Sequence, residues 1–173
     1  MKKIAVIYKS RYGTTKRYAE WIAEALDAPI YECGEIKPSQ LSDYDLVVYG
    51  GGLYAGGIDG VKLVAGELCP RLVLFTVGLA DPQITDFTPF LKKAFAPEQL
   101  AKTKVFHFRG GIDYKKLSLV HKGMMAMVKR SAEKLPAEER NSDDMGIIDT
   151  YGKQVDFTDK AAIAPLVEYA KTL

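Results

Sequence analysis

The sequence predicts a single α/β domain, residues 1–173, with three layers: a doubly wound parallel sheet and helices on both of its faces. Two observations predict this fold class. Short apolar runs recur along the chain and alternate with helical or loop stretches. The first run, Ile4–Tyr8, is apolar at every position instead of alternating, which is typical of a parallel strand covered on both faces. The length of 173 residues is enough for one domain with a substantial core.

Five strands are expected, at residues 4–8 and at about 29–33, 45–50, 71–77 and 104–108. Five strands of this kind fit the order 2-1-3-4-5, in which the strand order reverses beside strands 1 and 3. Ligands of such folds bind at the carboxyl ends of the strands at that point. The loops after strands 1 and 3 are therefore expected to face each other across one crevice.

A helix is expected over residues 14–27, directly after the first loop. At about 100° per residue, one side of this helix is apolar and the other is charged. The polar side carries Lys16, Arg17, Glu20, Glu24 and Asp27. The apolar side, which should pack on the sheet, carries Tyr18, Ala19, Trp21, Ile22, Ala25 and Leu26.

The loop between this strand and this helix, residues 10–15, has the composition of a phosphate-binding site; we call it the first loop. Free N–H groups and the positive end of the helix dipole meet at a helix N-terminus and stabilise a dianion there. Ser10, Thr14 and Thr15 add hydroxyl donors, and Gly13 allows the backbone a positive φ or a close approach.

Three other phosphate-related sites do not fit the sequence. A Walker loop ends in Gly-Lys-Ser/Thr, whereas Gly13 is followed by two threonines. A dinucleotide fingerprint needs three glycines in the first turn, and the nearest match, Gly50-x-Gly52-x-x-Ala55, comes too late in the chain. A response-regulator receiver needs carboxylates at the ends of strands 1 and 3, where this chain has Tyr8-Lys9 and Tyr49-Gly50.

Two further loops are rich in glycine and follow strands 3 and 4. Residues 50–57, Gly-Gly-Gly-Leu-Tyr-Ala-Gly-Gly, are here called the glycine loop. So many glycines indicate that a flat ligand approaches the backbone, with Tyr54 offering an aromatic face, although a flexible surface loop is the alternative. After strand 4, Thr76-Val77-Gly78-Leu79-Ala80-Asp81-Pro82 is again small and contains glycine.

These loops resemble those of the flavodoxin superfamily. The resemblance is carried by Ser10-x-x-Gly13-x-Thr15, by the glycine-rich turn with Tyr54, and by Thr76-Val77-Gly78, and it covers the whole chain. Tyr12 departs from the threonine of many short flavodoxins. The resemblance implies a flavodoxin-like fold and FMN as the cofactor, with the phosphate in the first loop and the isoalloxazine ring between the others. The residues it implies are Ser10, Arg11, Tyr12, Gly13, Thr14, Thr15, Gly51, Gly52, Leu53, Tyr54, Ala55, Gly56, Thr76, Val77, Gly78, Leu79, Asp81, Arg109 and Gly110.

Within the superfamily, the chain is similar to the menaquinone-dependent protoporphyrinogen oxidase branch. This resemblance rests on Tyr8-x-Ser10-Arg11-x-Gly13-x-Thr15, on Phe108-Arg109 before a long insertion, and on Val155–Asp159 before the last helix. It implies an FMN-dependent oxidoreductase that transfers hydride or electrons through flavin N5, with a porphyrinogen or a quinone as its small-molecule substrate. The alternatives are a flavodoxin-type electron carrier between partner proteins and a flavin-binding module with a regulatory role.

No side chain is predicted to be a catalytic acid or base. His107 and Arg109 are both candidates for the polar edge of the ring, and both have a structural alternative, because His107 lies inside a strand and Arg109 at its end. Cys33 and Cys69 are isolated and have no histidine at ligand spacing, which predicts two free thiols and no metal. The oligomeric state is left open.

The composition indicates a globular protein with a net charge of +2, and we expect a cytoplasmic location and no nucleic-acid partner. Lys2 and Lys3 precede an apolar run that is too short for a secretion signal or a membrane span. Electron-carrier flavodoxins are typically acidic, so a slightly basic chain favours an anionic partner or substrate.

A helical insertion is expected at about 110–157, between strand 5 and the last helix. One stripe carries Leu117, Val120, Met124, Met127 and Val128, and Lys115, Lys122, Lys129 and Arg130 lie opposite. This helix, near residues 115–134, either packs on the domain with a solvated cationic side, or borders the flavin, or rests peripherally on an anionic membrane. Leu135-Pro136 should end it, and Ala137–Asp144 is expected to be a polar loop.

The last helix is expected from Asp159 to Thr172 with Thr158 as its N-cap. Pro165 lies well inside this range and removes one backbone hydrogen bond. It therefore predicts a kink or a later start of the helix.

Overall fold

The computed structural model describes residues 2–66 and 68–173, with the side chains of residues 142 and 143 left out. Five parallel strands form the sheet: β1 (Ile4–Lys9), β2 (Ile30–Glu32), β3 (Leu46–Tyr54), β5 (Leu72–Gly78) and β6 (Lys104–Arg109). A two-residue strand, β4 (Gly57–Ile58), folds back antiparallel on the end of β3. The order is β2-β1-β3-β5-β6, which confirms the predicted order because β4 shifts the numbering of the last two strands.

Helices cover both faces of this sheet. The described helices are α1 (Thr14–Leu26), α2 (Thr88–Ala94), α3 (Pro97–Lys102), α4 (Leu119–Lys134), α5 (Ser142–Thr150) and α6 (Ala164–Thr172). One core forms where α1 and α6 pack on the sheet, around Tyr18, Ile22 and Leu166. The other core lies on the opposite face, where Phe95 and its neighbours in α2 and α3 pack against Tyr49 and Leu74. The predicted doubly wound, flavodoxin-like α/β architecture is therefore present.

Helix α1 begins and ends within a residue of the prediction. Gly13 at its N-cap has φ 99°, and Asp27 at its C-cap has φ 49°. Tyr18, Ala19 and Ile22 are buried as predicted, but Ala25 is exposed and Ala23 is buried instead. The sheet therefore lies slightly toward the Ala23 side of the predicted stripe.

The C-terminal helix starts later than Asp159, as Pro165 allows. Residues Lys160–Ile163 form a 3₁₀ turn, and α6 begins at Ala164, so that Pro165 lies in its first turn. The prediction of Thr158 as N-cap is wrong. Asp159 caps the turn by accepting from the Ala161 N–H, whereas the Thr158 hydroxyl donates to Asp156.

The insertion is a small unit built from two helices and its own sheet. Strands β7 (Gly111–Asp113) and β8 (Gln154–Asp156) pair antiparallel at its base, and α4 packs against α5. Helix α4 begins after Ser118, whose hydroxyl accepts from the His121 N–H, so Leu117 lies before the helix. The expected polar loop, Ala137–Asp144, is wrong at its end, because α5 begins at Ser142.

The predicted apolar stripe of α4 is only partly correct. Met124 and Val128 lie on the side that faces the domain, together with His121 and Ala132. Val120 and Met127 face solvent, with 80% and 70% of their surfaces exposed, and Leu119 is 86% exposed. The helix therefore has apolar residues on two sides. Arg130, which was expected opposite the apolar stripe, lies on the exposed side together with Val120 and Met127.

The two cysteines and the lengths of the helices were also subjects of prediction. Cys33 and Cys69 are free and half-buried, as predicted. Among the described residues, no helix combines the length and the apolar character that crossing a membrane requires.

We expect Gly50→Ala to lower the free energy of unfolding by about 1–3 kcal/mol, because the added methyl overpacks the core. A Cβ at Gly50 would lie 2.0 Å from the buried ring of Phe75. Urea denaturation measures the effect. Gly34→Ala is the control, because a Cβ there meets nothing within 4 Å. Equal stability of the two variants would contradict the described contact between β3 and β5.

A candidate ligand site at the carboxyl ends of the strands

A crevice of about 360 Å³ lies at the carboxyl ends of the parallel strands. The first loop, the glycine loop, the loop after β5 and the helices α4 and α5 surround it. Most of the residues predicted from the sequence are brought together here. Those that line the crevice are Ser10, Arg11, Tyr12, Thr14, Thr15, Gly52, Leu53, Tyr54, Ala55, Gly56, Val77, Gly78, Leu79 and Gly110.

Five predicted residues lie beside the crevice and do not line it. Gly13 forms the N-cap of α1, and Gly51 packs tightly, since a Cβ there would lie 2.5 Å from Ile58 Cγ2. Asp81 accepts from the Gln83 N–H within its own loop. The other two, Thr76 and Arg109, bond to neighbouring residues as described below.

The first loop presents its donors toward one end of the crevice. Ser10 Oγ accepts from the Gly13 N–H at 3.0 Å, which closes the loop before α1. The N–H groups in the first turn of a helix have no intrahelical acceptor. Thr14 and Thr15 lie in this turn, so their N–H groups and hydroxyls are concentrated where the positive end of the helix dipole lies.

Two glycines leave room beside these threonines. A Cβ at Gly110 would lie 2.8 Å from Val77 Cγ1 and 3.2 Å from Thr14 Oγ1. A Cβ at Gly52 would lie 3.4 Å from Thr15 Oγ1. A side chain at either position would fill the space beside the hydroxyls. The arrangement of donors and free space therefore fits a phosphate group at this end.

The charge of Arg11 is neutralised within the site. Its guanidinium donates to both carboxylate oxygens of Asp59, at 2.7 and 3.1 Å, and lies 3.7 Å from the centre of the Tyr54 ring. The hydrogen bond with Asp59 raises the pKa of Arg11. Arg11 therefore orders the glycine loop, and neutral donors are left to hold an anion.

His121 is a residue of the site that the sequence did not indicate. It lies on α4, and its Nδ1 shares a hydrogen bond of 2.7 Å with the Tyr12 hydroxyl. Its ring stacks on Tyr12 and meets Tyr54 edge to face, with ring centres 5.2 and 4.8 Å apart. Burial lowers the pKa of His121, which favours the neutral ring. The usable signal was its helical spacing, because His121 shares a side of α4 with Met124 and Val128.

His107 supports the site from below. It shares a hydrogen bond with the Thr76 hydroxyl and stacks on Phe87, with ring centres 3.8 Å apart. Burial lowers its pKa to about 4, so the ring is neutral at pH 7. Phe87 itself lines the crevice, as does Phe90, and neither was predicted. His107 thus positions the aromatic ring of Phe87, which agrees with the structural role that was the alternative to ligand contact.

Arg109 connects the loop after β5 with the end of the insertion. Its Nε donates to the Leu79 carbonyl at 3.0 Å, and its guanidinium lies 3.8 Å from the centre of the Phe157 ring. The Tyr18 hydroxyl donates to the Arg109 carbonyl at 2.7 Å. The predicted contact of Arg109 with a ligand stays a prediction, and the described contacts are structural.

The insertion is also tied to α1. Arg17 donates to Asp156 and to the Thr158 hydroxyl, each at 2.8 Å. Hydrogen bonds from Thr158, and then from Arg17, lower the pKa of Asp156 to about 2. This cluster holds β8, and with it the base of the insertion, beside the helix that carries the first loop.

The far wall of the crevice is apolar. Helices α4 and α5 contribute Met124, Met125, Val128 and Ile147. Within the described lining, the residues with a formal charge are Arg11 and Asp59, which pair with each other. No group of acidic, histidine and cysteine side chains that could hold a metal is found among the described residues. The crevice therefore fits a ligand with an anionic end and a flat, apolar end.

Comparison with known proteins shows the family. The sequence model of the flavodoxin domain matches residues 5–138, which is most of the chain. An uncharacterised protein of Methanocaldococcus jannaschii is 36% identical over 55 residues, or 31% of this chain. That match spans 37% of the relative, little more than a third of its length.

Solved structures of flavoproteins are similar at low identity. An archaeal flavodoxin has a TM-score of 0.39 and 18% identity, covering 43% of this chain and 62% of its own. A WrbA-like flavodoxin of Agrobacterium tumefaciens has a TM-score of 0.44 and 20% identity, and the match covers 60% of this chain and 76% of that one. A flavoprotein of Lactobacillus acidophilus, solved in complex with FMN, has a TM-score of 0.44 and 18% identity, and the match covers 63% of this chain and 93% of that one.

We expect the Asp156 cluster to make the free energy of unfolding depend on pH in the acidic range. Because the pKa of Asp156 is lowered from about 3.9 in an unfolded chain to about 2, its contribution is complete above pH 4 and is lost as the pH falls through 2. The side chain is 56% exposed, so we expect about 1 kcal/mol or less. Urea titrations of the unmodified protein and Asp156→Asn should differ at pH 6 and converge toward pH 2. A constant difference over this range would contradict the described hydrogen bonds.

Proposed function

We propose that this chain, which belongs to the flavodoxin-domain family, is an FMN-dependent oxidoreductase that acts on small molecules. The observation that carries the proposal is the two-ended crevice. Hydroxyls and free N–H groups of the first loop lie at one end, and an apolar wall from the insertion lies at the other. FMN has a phosphate at one end and a flat ring system at the other, so both ends find suitable partners.

Different residues of the crevice would contact the phosphate and the ring system of FMN. Ser10, Thr14 and Thr15, with the first-turn N–H groups of α1, would hold the phosphate. The backbones of Gly52 and Gly78, together with Tyr54, would lie beside the ring. When bound, FMN supplies electron transfer at its ring, and the protein supplies placement and electrostatic tuning.

The chain's own residues supply the surroundings for that chemistry. Met124, Met125 and Val128 line one side of the crevice with apolar side chains. Tyr12 and His121 hold one shared proton between the tyrosine hydroxyl and Nδ1. Burial lowers the pKa of His121 and favours the neutral imidazole, whose second nitrogen could exchange a proton with a reacting molecule.

The insertion favours an enzyme over an electron carrier. A carrier passes electrons to partner proteins through an exposed edge of its cofactor, whereas here α4 and α5 border the crevice. Their apolar side chains suit a small ring as the substrate. We propose a quinone as the oxidant, because the charged residues of the described lining are already paired. A porphyrinogen would be the reductant. Because the described lining offers no unpaired cation, its carboxylates would have to lie outside the crevice.

We expect Ser10→Ala and Thr15→Ala each to weaken FMN binding about 10- to 100-fold, because each removes a hydroxyl donor to a charged group. Riboflavin binding should change about twofold or less, since riboflavin lacks the phosphate. Fluorescence titration of the apoprotein with both ligands measures this. Ser39→Ala, at an exposed serine in the 38–43 turn, is the matched control. Equal losses for both ligands would contradict the assignment of the first loop to the phosphate.

We expect reduced, FMN-loaded protein to be reoxidised by a water-soluble menaquinone analogue under anaerobic conditions, and the oxidised form to be reduced by protoporphyrinogen. With FMN at saturating concentration, Met124→Gln should lower the quinone rate about tenfold, because it places an amide in the apolar wall. Met127→Gln, the same change on the exposed side of α4, should leave the rate unchanged. Stopped-flow absorbance measures both. A flavin that reacts with neither substrate would contradict the enzyme function.

A further inference from the structure

The positive charge of the insertion is concentrated in residues 115–134. Residues 115–134 contain six Lys and Arg residues and one acid, Glu133. The chain as a whole has 24 Lys and Arg residues against 22 acids, so the remainder has 18 against 21. Residues 115–134 therefore have a net charge of +5, whereas all other residues together have a net charge of −3.

The exposed side of α4 combines this charge with apolar side chains. At about 100° per residue, its members lie within about 120° of one another around the helix axis. We call the outer face of α4 the set Leu119, Val120, Met127, Arg130 and Lys134. Leu119, Val120 and Met127 are 86%, 80% and 70% exposed. No acidic residue lies on this face, and Arg130 and Lys134 have no ion-pair partner among the described residues.

We propose that the outer face of α4 binds the surface of an anionic lipid bilayer. The three apolar side chains would insert among the lipid chains, and the cations beside them would contact the lipid phosphates. A helix with apolar and cationic residues on one face binds membrane surfaces in this way, because it gains both apolar burial and charge attraction. This face differs from the side of α4 that lines the crevice, so the helix could serve both contacts at once.

The charge and the shape of the face favour a lipid surface over a protein. An acidic protein partner would need a groove fitted to one convex helix, whereas a bilayer accommodates such a helix without a fitted shape. A second copy of this chain is disfavoured by charge, because it would bring the same cations of two outer faces together. The proposal does not depend on FMN, since the outer face shares none of the residues that line the crevice.

The arrangement gives lipid-soluble molecules a short path to the crevice. Met124, which lines the crevice, is four residues from Val120 and three from Met127 of the outer face, so their Cβ atoms are about 5–6 Å apart. A bilayer on the outer face would thus lie next to the apolar wall. An apolar reactant dissolved in the lipid would not need to cross bulk water to reach it.

The test is sedimentation of the purified full-length protein with vesicles, in 100 mM salt. We expect binding to vesicles of phosphatidylglycerol and phosphatidylcholine in equal parts, and none to vesicles of phosphatidylcholine alone. Arg130→Gln with Lys134→Gln should lower the partition coefficient about 25-fold, at about 1 kcal/mol for each cation. Leu119→Gln with Met127→Gln should lower it at least about tenfold, because the inserted apolar surface is lost.

Matched changes elsewhere control for net charge and exposed apolar surface. Lys102→Gln with Lys171→Gln removes two exposed cations away from α4, and Ile84→Gln removes a side chain that is 71% exposed. Both should leave vesicle binding within about twofold. Circular dichroism and FMN titration confirm that each variant is folded, separately from any catalytic assay.

Three results would overturn the proposal. The first is equal binding of the α4 variants and the control variants, which would mean that net charge alone directs the protein to lipid. The second is no binding to the anionic vesicles by the unmodified protein. The third is a dimer in sedimentation equilibrium without lipid that Leu119→Gln with Met127→Gln dissociates, which would assign the face to a second copy of the chain.

Discussion

Parallel pairing of the four strands β1, β3, β5 and β6 determines where the ligand site lies. The ladders align Lys9 with Gly51, Gly52 with Val77, and Gly78 with Arg109, so the strands end at the same edge of the sheet. Each strand then delivers its loop to one crevice, and α1 starts there because it follows β1 directly. The glycines tolerate this crowding, since a Cβ at Gly51 or Gly110 would meet neighbouring atoms.

The insertion completes the site from the other side. Its aromatic contact with the domain is the group of Tyr12, Tyr54 and His121, which joins the first loop, the glycine loop and α4. Because α4 contributes Met124 and Val128 to the crevice and leaves Leu119 and Met127 in solvent, one helix faces both a ligand site and the surroundings of the protein. Any molecule bound at its outer side is therefore close to the crevice.

Local sequence patterns predicted most of the fold and the loop that lines one end of the crevice. Helix α1 and the loop from Ser10 to Thr15 depend on contacts between neighbouring residues, which local patterns report. The strand order was predicted from the alternation of apolar runs with helices. The hydrogen bond between Tyr12 and His121 joins residues 109 positions apart, and no local pattern reports it. The exposed side of α4 was wrongly predicted, because Val120 and Met127 are as apolar as Met124 and only packing decides between them. Helix α5 was missed, since its short sequence is mostly polar.

The separate sheet of the insertion has a consequence for motion. Strands β7 and β8 pair with each other and not with the main sheet. At its base, the Gly110 N–H donates to the Gly78 carbonyl of the domain, and the Phe157 N–H donates to the Gly110 carbonyl, which joins the two ends of the unit. Local opening of α4 and α5 therefore costs less free energy than global unfolding. The crevice can therefore open while the parallel sheet stays intact. In the proposed oxidoreductase, FMN held at the first loop would remain bound while a substrate enters and leaves.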